Sequence, residues 1–376
     1  MTPIDKLLRE DLRGGKPYGA PQLDVPVRLN TNESSYPVPP EVVAEITAAV
    51  GAVAPDLNRY PDREFTDLRT ALAAYLTDTS ADHGVTITPE QVWAGNGSNE
   101  VLQHVVLAFG GPGRTALGFT PAYSMHPIIS GSVGTTWVDG LRGQGGDPFD
   151  LTAESAVAQV REHQPHVVFL CSPNNPTGTA LGLDVVEAVY AAAERAVVVV
   201  DEAYTEFARP GTPSALTLLA GRPRLVVTRT MSKAFAFAGG RLGYLAADPS
   251  LVDALRLVRL PYHLSSPTQV IALAALSHAP AMLATVEAIK QQRDRIVAEL
   301  ADLGLEPVPS DANFVLFGGL EDSGQTWRDL LDRGVLVRDV GIPHYLRVTA
   351  GTPAETDAFL AAMREVAGRP HDGSAL

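Results

Sequence analysis

The chain has 376 residues and a formal net charge of −14 at pH 7, from 29 basic and 43 acidic side chains. This acidic balance disfavours general nucleic-acid binding, because neutralising phosphates requires a basic face. The length exceeds that of one simple core and predicts a large domain with a smaller one. The single cysteine, Cys171, excludes an intrachain disulfide and fits a reducing compartment.

No targeting or membrane segment is evident. The N-terminal stretch MTPIDKLLREDLRGG lacks the apolar core of a signal peptide. No uninterrupted apolar run approaches the roughly 20 residues that a membrane-spanning helix needs. We therefore expect a cytoplasmic protein without a membrane partner.

Short apolar runs alternate with amphipathic stretches from about residue 41 to 260. Several runs are continuously apolar, which is typical of strands buried on both faces. Strands that alternate with helix-like segments, such as 64–78 and 184–196, predict a mostly parallel α/β sheet. The predicted strands are VWAG (92–95), TALG (115–118), TTWV (135–138), VVFLCS (167–172), VVVVD (197–201), LVVT (225–228) and GYLAA (243–247).

The pattern changes in the last third of the chain. A long amphipathic stretch at 281–304 precedes the short predicted strands NFVLF, VLVR and YLRVT, with helices at about 324–333 and 353–366. This order predicts a smaller α+β domain, against which the N-terminal segment packs. The predicted division is a large domain over 41–264 and a discontinuous small domain over 1–40 plus 265–376.

Lys233 is one of only four lysines in a chain with 25 arginines. It follows the predicted strand LVVT and precedes small and aromatic residues, in TRTMSKAFAFAGGRLGY. A lysine among apolar neighbours can have a lowered pKa and act as a nucleophile towards carbonyl carbons. The alternative is an exposed loop lysine, which the arginine bias of the chain disfavours.

Three further motifs follow predicted strands. Asp201 ends VVVVD, where a carboxylate needs a cation or a donor, unless it caps the next helix. The loop CSPNNPTG (171–178) lies at the edge where open α/β sheets bind ligands, or is a plain turn. GNGSNE (95–100) opens a helix-like stretch whose backbone N–H groups suit a phosphate, although it matches neither a Walker A nor a dinucleotide motif.

Together these motifs indicate one cofactor. A lysine, a carboxylate and a phosphate-binding turn, each at a strand end, are the parts that hold pyridoxal 5′-phosphate (PLP). The nine histidines show no metal-ligand spacing, so we predict no metal.

The succession of NNPTG, DEAY, SK and GGRLGY resembles the fold-type-I aminotransferases, over roughly residues 28–365. The resemblance implies an α/β fold-type-I PLP-dependent transferase, with a mostly parallel seven-stranded sheet in the large domain and a smaller α+β domain. It implies that Lys233 is the Schiff-base lysine and moves the proton. Asp201 would pair with the pyridinium nitrogen, and Tyr204 would bind the phenolic oxygen of the cofactor.

The same resemblance implies further contacts with PLP. Asn175 would also meet the phenolic oxygen, and Tyr123 would stack on the cofactor ring. Tyr60, in RYPD, would reach the phosphate in the partner subunit's site, so a homodimer is implied. The implied phosphate cradle consists of Gly97, Ser98, Asn99, Thr230, Ser232 and Arg241.

Within that family, LNTNE, LNRYPD, RTMSKAF, LVRD and YLRVTAG are most similar to the members that act on L-histidinol phosphate. This implies amino transfer from L-histidinol phosphate to 2-oxoglutarate, giving imidazole-acetol phosphate and L-glutamate, in histidine biosynthesis. Arg338 and Arg347 would bind substrate anions, since the arginine fork meets phosphate or carboxylate bidentately. Tyr18 and Asn32 complete the implied substrate contacts.

Two alternatives remain open at this point. One is an aromatic amino-acid aminotransferase, and the other is a PLP-dependent decarboxylase of a phosphorylated amino acid. Both would retain Lys233 and Asp201, so the motifs alone do not separate them.

Overall fold

The computed structural model describes residues 4, 6–15, 17–144 and 146–367. In this part of the chain the strands form one large and two small sheets. The strands are β1 (Val27–Arg28), β2 (Val92–Gly95), β3 (Thr115–Thr120), β4 (Thr136–Leu141), β5 (Val167–Cys171), β6 (Val197–Asp201), β7 (Leu225–Thr230), β8 (Gly243–Ala247), β9 (Glu306–Pro307), β10 (Phe314–Gly318), β11 (Val335–Leu336) and β12 (Leu346–Thr349).

The seven-stranded sheet has the order β2-β8-β7-β6-β5-β3-β4. Only β8 is antiparallel to its neighbours, β2 and β7. The α/β fold and the mostly parallel seven-stranded sheet are therefore confirmed. Strands β5 to β8 are buried along their whole length, as continuous apolar runs predict, whereas the edge strand β4 has exposed residues.

The helices pack against the large sheet, against the small sheets and against one another. Helices α1 and α2 pack against α8, and α5 packs against α6. The α-helices are α1 (Pro40–Val53), α2 (Thr66–Asp78), α3 (Ser98–Phe109), α4 (Met125–Ser132), α5 (Ala153–His163), α6 (Leu183–Ala192), α7 (Pro249–Arg256), α8 (Ser266–Ser277), α9 (Ala279–Leu283), α10 (Val286–Asp302), α11 (Ser323–Asp332) and α12 (Pro353–Ala367). Short 3₁₀ turns lie at Glu10–Leu12, Ala54–Asp56, Ala81–His83, Pro89–Gln91, Thr205–Phe207 and Ala215–Leu218.

The two smaller sheets lie mostly in the last third of the chain. Strands β12, β10 and β9 form an antiparallel sheet in that order, and β1 pairs in parallel with β11. The amphipathic stretch 281–304 is divided between α9 and α10 rather than forming one helix. The boundaries of the predicted domains stay a prediction. Within those domains, residues 1–3, 5, 16, 145 and 368–376 lie outside the described residues.

Among the described residues, no single helix is long and apolar enough to cross a membrane. One pair of helices, Ser266–Ser277 with Ala279–Asp302, meets the length and composition requirement together but is bent by 79°.

The turn between β2 and α3 lies tightly against the start of β8. A Cβ atom added to Gly243 would lie 2.0 Å from the backbone nitrogen of Ser98. A methyl group there must therefore displace either β8 or the first turn of α3.

We predict that Gly243→Ala lowers the free energy of unfolding by about 1–3 kcal/mol, the usual cost of overpacking. Urea denaturation measures this loss. The matched control is Gly239→Ala, since a Cβ at Gly239 meets no atom within 4 Å. We expect the control to stay within about 0.5 kcal/mol of the parent chain, and equal stability of the two variants would contradict the packing argument.

Candidate active site

A cavity of about 460 Å³ opens at the carboxyl ends of β2, β3, β5, β6 and β7. Parallel strands place their carboxyl ends at one edge of a sheet, which is where such folds bind ligands. The cavity brings together all predicted site residues except Gly97 and Tyr60. Those that line it are Tyr18, Asn32, Ser98, Asn99, Tyr123, Asn175, Asp201, Tyr204, Thr230, Ser232, Lys233, Arg241, Arg338 and Arg347.

Lys233 lies in the loop that follows β7, with its side chain partly buried. Its Nζ atom donates a hydrogen bond to the carbonyl oxygen of Thr31 at 3.1 Å. Burial lowers the pKa of the ammonium to about 8, and the neighbouring Arg347 guanidinium lowers it further than Glu33 raises it. The amine is therefore more readily neutral than an exposed lysine, as a nucleophile or proton carrier requires.

Asp201, at the end of β6, is 1% exposed and points into the cavity. One carboxylate oxygen lies 3.0 Å from Nε2 of His126, and the other accepts a hydrogen bond from Thr228 Oγ1 at 3.2 Å. His126 stacks on Phe169, with ring centroids 4.6 Å apart. The carboxylate thus makes tertiary contacts rather than serving only as a helix cap.

His126 is a site residue that the sequence did not predict. Its only signal is the position three residues after Tyr123, in the first turns of α4. A histidine on a short helix is usually a packing residue, so only the tertiary contact with Asp201 reveals this role.

The first turn of α3 forms a part of the site that is suited to binding a phosphate group. Gly97 precedes the helix with φ of 85°, and no side chain of the described residues caps it. Its uncapped N–H groups and partial positive charge suit an anion. A Cβ at Gly97 would lie 2.4 Å from Nη2 of Arg241, so glycine allows this guanidinium to lie against the turn.

The Tyr204 hydroxyl is held by two amides. It accepts hydrogen bonds from Nδ2 of Asn32 at 3.1 Å and from Nδ2 of Asn175 at 3.2 Å. Because the oxygen accepts in both contacts, its own proton stays available for an acceptor in the cavity. Oδ1 of Asn32 accepts from Thr349 Oγ1 at 2.9 Å, so the Asn32 side chain is engaged in supporting Tyr204.

Arg347, on β12, is also held in place. Its guanidinium donates to Oδ1 of Asn175 at 2.6 Å and to the carbonyl oxygen of Asn30 at 2.8 Å. Its Nε atom is buried without a hydrogen-bond partner among the described residues, and burial lowers the pKa of the side chain to about 10. Arg338 pairs with it through two backbone hydrogen bonds of 2.9 Å, so both arginines reach the cavity from neighbouring backbone segments.

The other three tyrosines predicted to belong to the site occupy different places. Tyr123 lies in the cavity wall and donates to Oδ1 of Asn99 at 3.3 Å. Tyr18 lies at the cavity but is half exposed. Tyr60 lies outside the cavity, is 80% exposed and stacks on Tyr262 with ring centroids 4.4 Å apart.

These groups fit PLP. The aldehyde would meet Lys233, the ring nitrogen would meet Asp201, and the phenolic oxygen would accept the free proton of Tyr204. The first turn of α3 with Ser232 and Arg241 would hold the phosphate. The remaining proton of the Tyr204 hydroxyl and the helix end without a side-chain cap from the described residues are both free to meet such a group.

Residues 25–363 match the family described as "Aminotransferase class I and II". The chain is 62% identical over 363 residues to a protein from Paenarthrobacter aurescens named "Histidinol-phosphate aminotransferase", covering 96% of this chain and 95% of that one. A protein of the same name from Frankia casuarinae is 58% identical over 372 residues, covering 98% and 91%.

Solved structures agree in fold. The histidinol-phosphate aminotransferase from Sinorhizobium meliloti, in complex with pyridoxal-5′-phosphate, superposes with a TM-score of 0.79 at 27% identity over 91% of each chain. The fold, the cavity and these matches define an aminotransferase. The chain belongs to the class I and II aminotransferase family.

We predict that the apo-enzyme captures PLP with a rate that rises with pH and reaches half its plateau near pH 8. Covalent capture needs the neutral amine of Lys233, whose pKa of about 8 sets the neutral fraction. The growth of visible absorbance after mixing, followed from about pH 6.5 to about pH 10.5, measures this rate. Lys233→Ala serves as the control without capture. A midpoint near the ordinary lysine value of 10.5 would contradict the effect of burial.

Proposed function

We propose that this protein transfers the amino group of L-histidinol phosphate to 2-oxoglutarate with PLP as cofactor. The products are imidazole-acetol phosphate and L-glutamate, in histidine biosynthesis. The observation that carries the proposal is the presence of Arg338 and Arg347 in the same cavity as Lys233 and Asp201, in a chain 62% identical to a relative that is named for this activity. A phosphorylated amino donor needs cations within reach of the reacting lysine.

When bound, PLP supplies an aldehyde that joins the donor amine and a ring that withdraws electrons from the donor's carbon. Asp201 keeps a proton at the ring nitrogen, and His126 and Thr228 hold its two carboxylate oxygens for that task. Tyr204 donates its remaining proton to the phenolic oxygen, while Asn32 and Asn175 fix the position of its hydroxyl.

Lys233 moves the proton at the reacting carbon. With a pKa of about 8, roughly a tenth of the free amine is neutral at pH 7, far more than for an exposed lysine. The neutral amine takes the proton from the donor's carbon as general base and then delivers it as general acid. The hydrogen bond to the Thr31 carbonyl orients the amine within the cavity.

The two arginines explain how one site serves two unlike substrates in turn. L-histidinol phosphate carries a phosphate and no carboxylate on the amine-bearing carbon, whereas glutamate carries two carboxylates. Two guanidinium groups meet either anion bidentately. Arg347 is fixed by Asn175 and Asn30, while Arg338 has no such anchoring bonds to its guanidinium among the described residues.

We also propose that the protein works as a homodimer. Tyr60 is highly exposed and stacks on the exposed Tyr262 outside the cavity. An exposed aromatic pair supports contact with a second subunit, where Tyr60 would reach the cofactor phosphate. The cytoplasmic location also remains part of the proposal.

We predict that Arg338→Ala lowers kcat/KM for L-histidinol phosphate about 10- to 100-fold, the loss expected when a charge-assisted hydrogen bond to phosphate is removed. Phenylalanine, which has no phosphate, should lose far less. Steady-state rates with each donor and 2-oxoglutarate measure the difference.

The matched control for this variant is Arg328→Ala. Arg328 lies on the exposed side of α11 and bonds to Gln325, so its removal should leave both rates unchanged. Equal losses for both donors in Arg338→Ala would mean that Arg338 does not read the phosphate. Release of carbon dioxide without consumption of 2-oxoglutarate would instead support a decarboxylase.

A further inference from the structure

Glu202 and Arg229 form a buried ion pair on the side of the sheet that faces away from the cavity. Successive side chains along a strand point to opposite faces of the sheet. Asp201 therefore faces the cavity, and Glu202 points to the opposite side. On β7, Thr228 bonds to Asp201 and Thr230 lines the cavity, whereas Arg229 between them points away. Neither member of the ion pair lines the cavity.

Both members of the ion pair make several hydrogen bonds. Glu202 Oε2 accepts hydrogen bonds from Nε and Nη2 of Arg229 at 3.1 and 3.0 Å. Glu202 also accepts from the Ser214 hydroxyl at 2.8 Å and from the backbone nitrogen of Ala215 at 2.6 Å. Glu202 is 3% exposed and Arg229 is 5% exposed. These hydrogen bonds thus fix the positions of two buried, oppositely charged side chains relative to each other.

The pair connects the two strands that carry the reacting groups. Glu202 directly follows Asp201 at the end of β6, and its backbone nitrogen bonds to the Thr228 carbonyl at 2.8 Å. Arg229 is the second-last residue of β7 and lies four residues before Lys233, which is in the loop that follows this strand. Displacing the end of β7 against the end of β6 would therefore change the distance between Asp201 and Lys233.

Stability alone does not explain an ion pair at this place. Replacing a buried ion pair with apolar residues is often neutral or stabilising, because desolvation offsets the Coulomb attraction. Removing one partner is strongly destabilising, however, since the other charge is left uncompensated. A buried pair can instead serve to fix the geometry of the two strand ends that it joins.

We propose that the Glu202–Arg229 ion pair is a positioning element for the reaction, which fixes the end of β6 relative to β7 and so holds Asp201 and Lys233 at their working separation. This inference rests on the proposed roles of those two residues toward PLP. Neither Glu202 nor Arg229 lines the cavity, so substrate recognition should be independent of the pair.

The test compares holoenzyme variants Glu202→Gln, Arg229→Gln and the double variant Glu202→Gln/Arg229→Gln. The double variant leaves neither member of the pair facing an unpaired partner, so it remains informative where a single variant fails to fold. Glu206, which also faces Arg229, loses this cation in both variants that replace Arg229, so the comparison of those two variants is matched. Glu187→Gln is the matched control, because Glu187 forms an ion pair with Arg222 at an exposed position. The measurements are kcat and KM per bound cofactor, the dissociation constant of PLP and the pH midpoint of the visible absorption band.

We expect kcat to fall about 10- to 100-fold in the double variant, with KM for L-histidinol phosphate changed less than about threefold. The pH midpoint of the band should rise, because a displaced Asp201 holds less proton on the ring nitrogen and the ring then withdraws fewer electrons. The double variant should lose no more than a single variant, since the two residues act as a unit. The control should match the parent enzyme.

A double variant with parental kcat and an unchanged pH midpoint would overturn the proposal, whatever its melting temperature. Loss of thermal stability alone would show that the pair is only structural. If the parent enzyme binds PLP but does not use L-histidinol phosphate, the proposed substrate is wrong, and the pH midpoint and PLP affinity still decide whether the pair positions the site.

Discussion

The site depends on holding a carboxylate, Asp201, at the end of a strand that is buried along its whole length. Burying an unpartnered carboxylate costs on the order of several kcal/mol. His126 and Thr228 contact its two oxygens and offset part of this cost, and the remaining side faces the cavity. The protonated ring nitrogen of PLP would complement this carboxylate, which is the role that we propose for Asp201.

The surrounding groups come from distant parts of the chain. Thr31 and Asn32, near the N-terminus, contact Lys233 and Tyr204 across the cavity. Arg347 on the three-stranded sheet bonds to Asn175 beside the large sheet. Lys233 and Arg347 are therefore held by neighbouring residues of the same N-terminal segment, Thr31 and Asn30, and the cavity forms where the two sheets meet.

The sequence predicts much of this arrangement for physical reasons. Continuous apolar runs identify the central strands, because parallel strands are buried on both faces. Chemistry-bearing residues at strand ends then identify one edge of one sheet. Contacts between separate segments were not predictable: His126 beside Asp201, Glu202 paired with Arg229, and Asn32 supporting Tyr204 with φ of 57° all depend on tertiary register. The position of Tyr60 outside the cavity likewise requires the folded chain.

The decisive experiment for the proposed reaction is the visible absorption spectrum of the purified holoenzyme, recorded while L-histidinol phosphate is added without 2-oxoglutarate. We expect a band from the lysine-bound cofactor that is lost as the amine form accumulates, and that is absent in Lys233→Ala. A band that L-histidinol phosphate leaves unchanged while phenylalanine depletes it would contradict the proposed substrate. No band at all after addition of PLP would contradict the role of Lys233 itself.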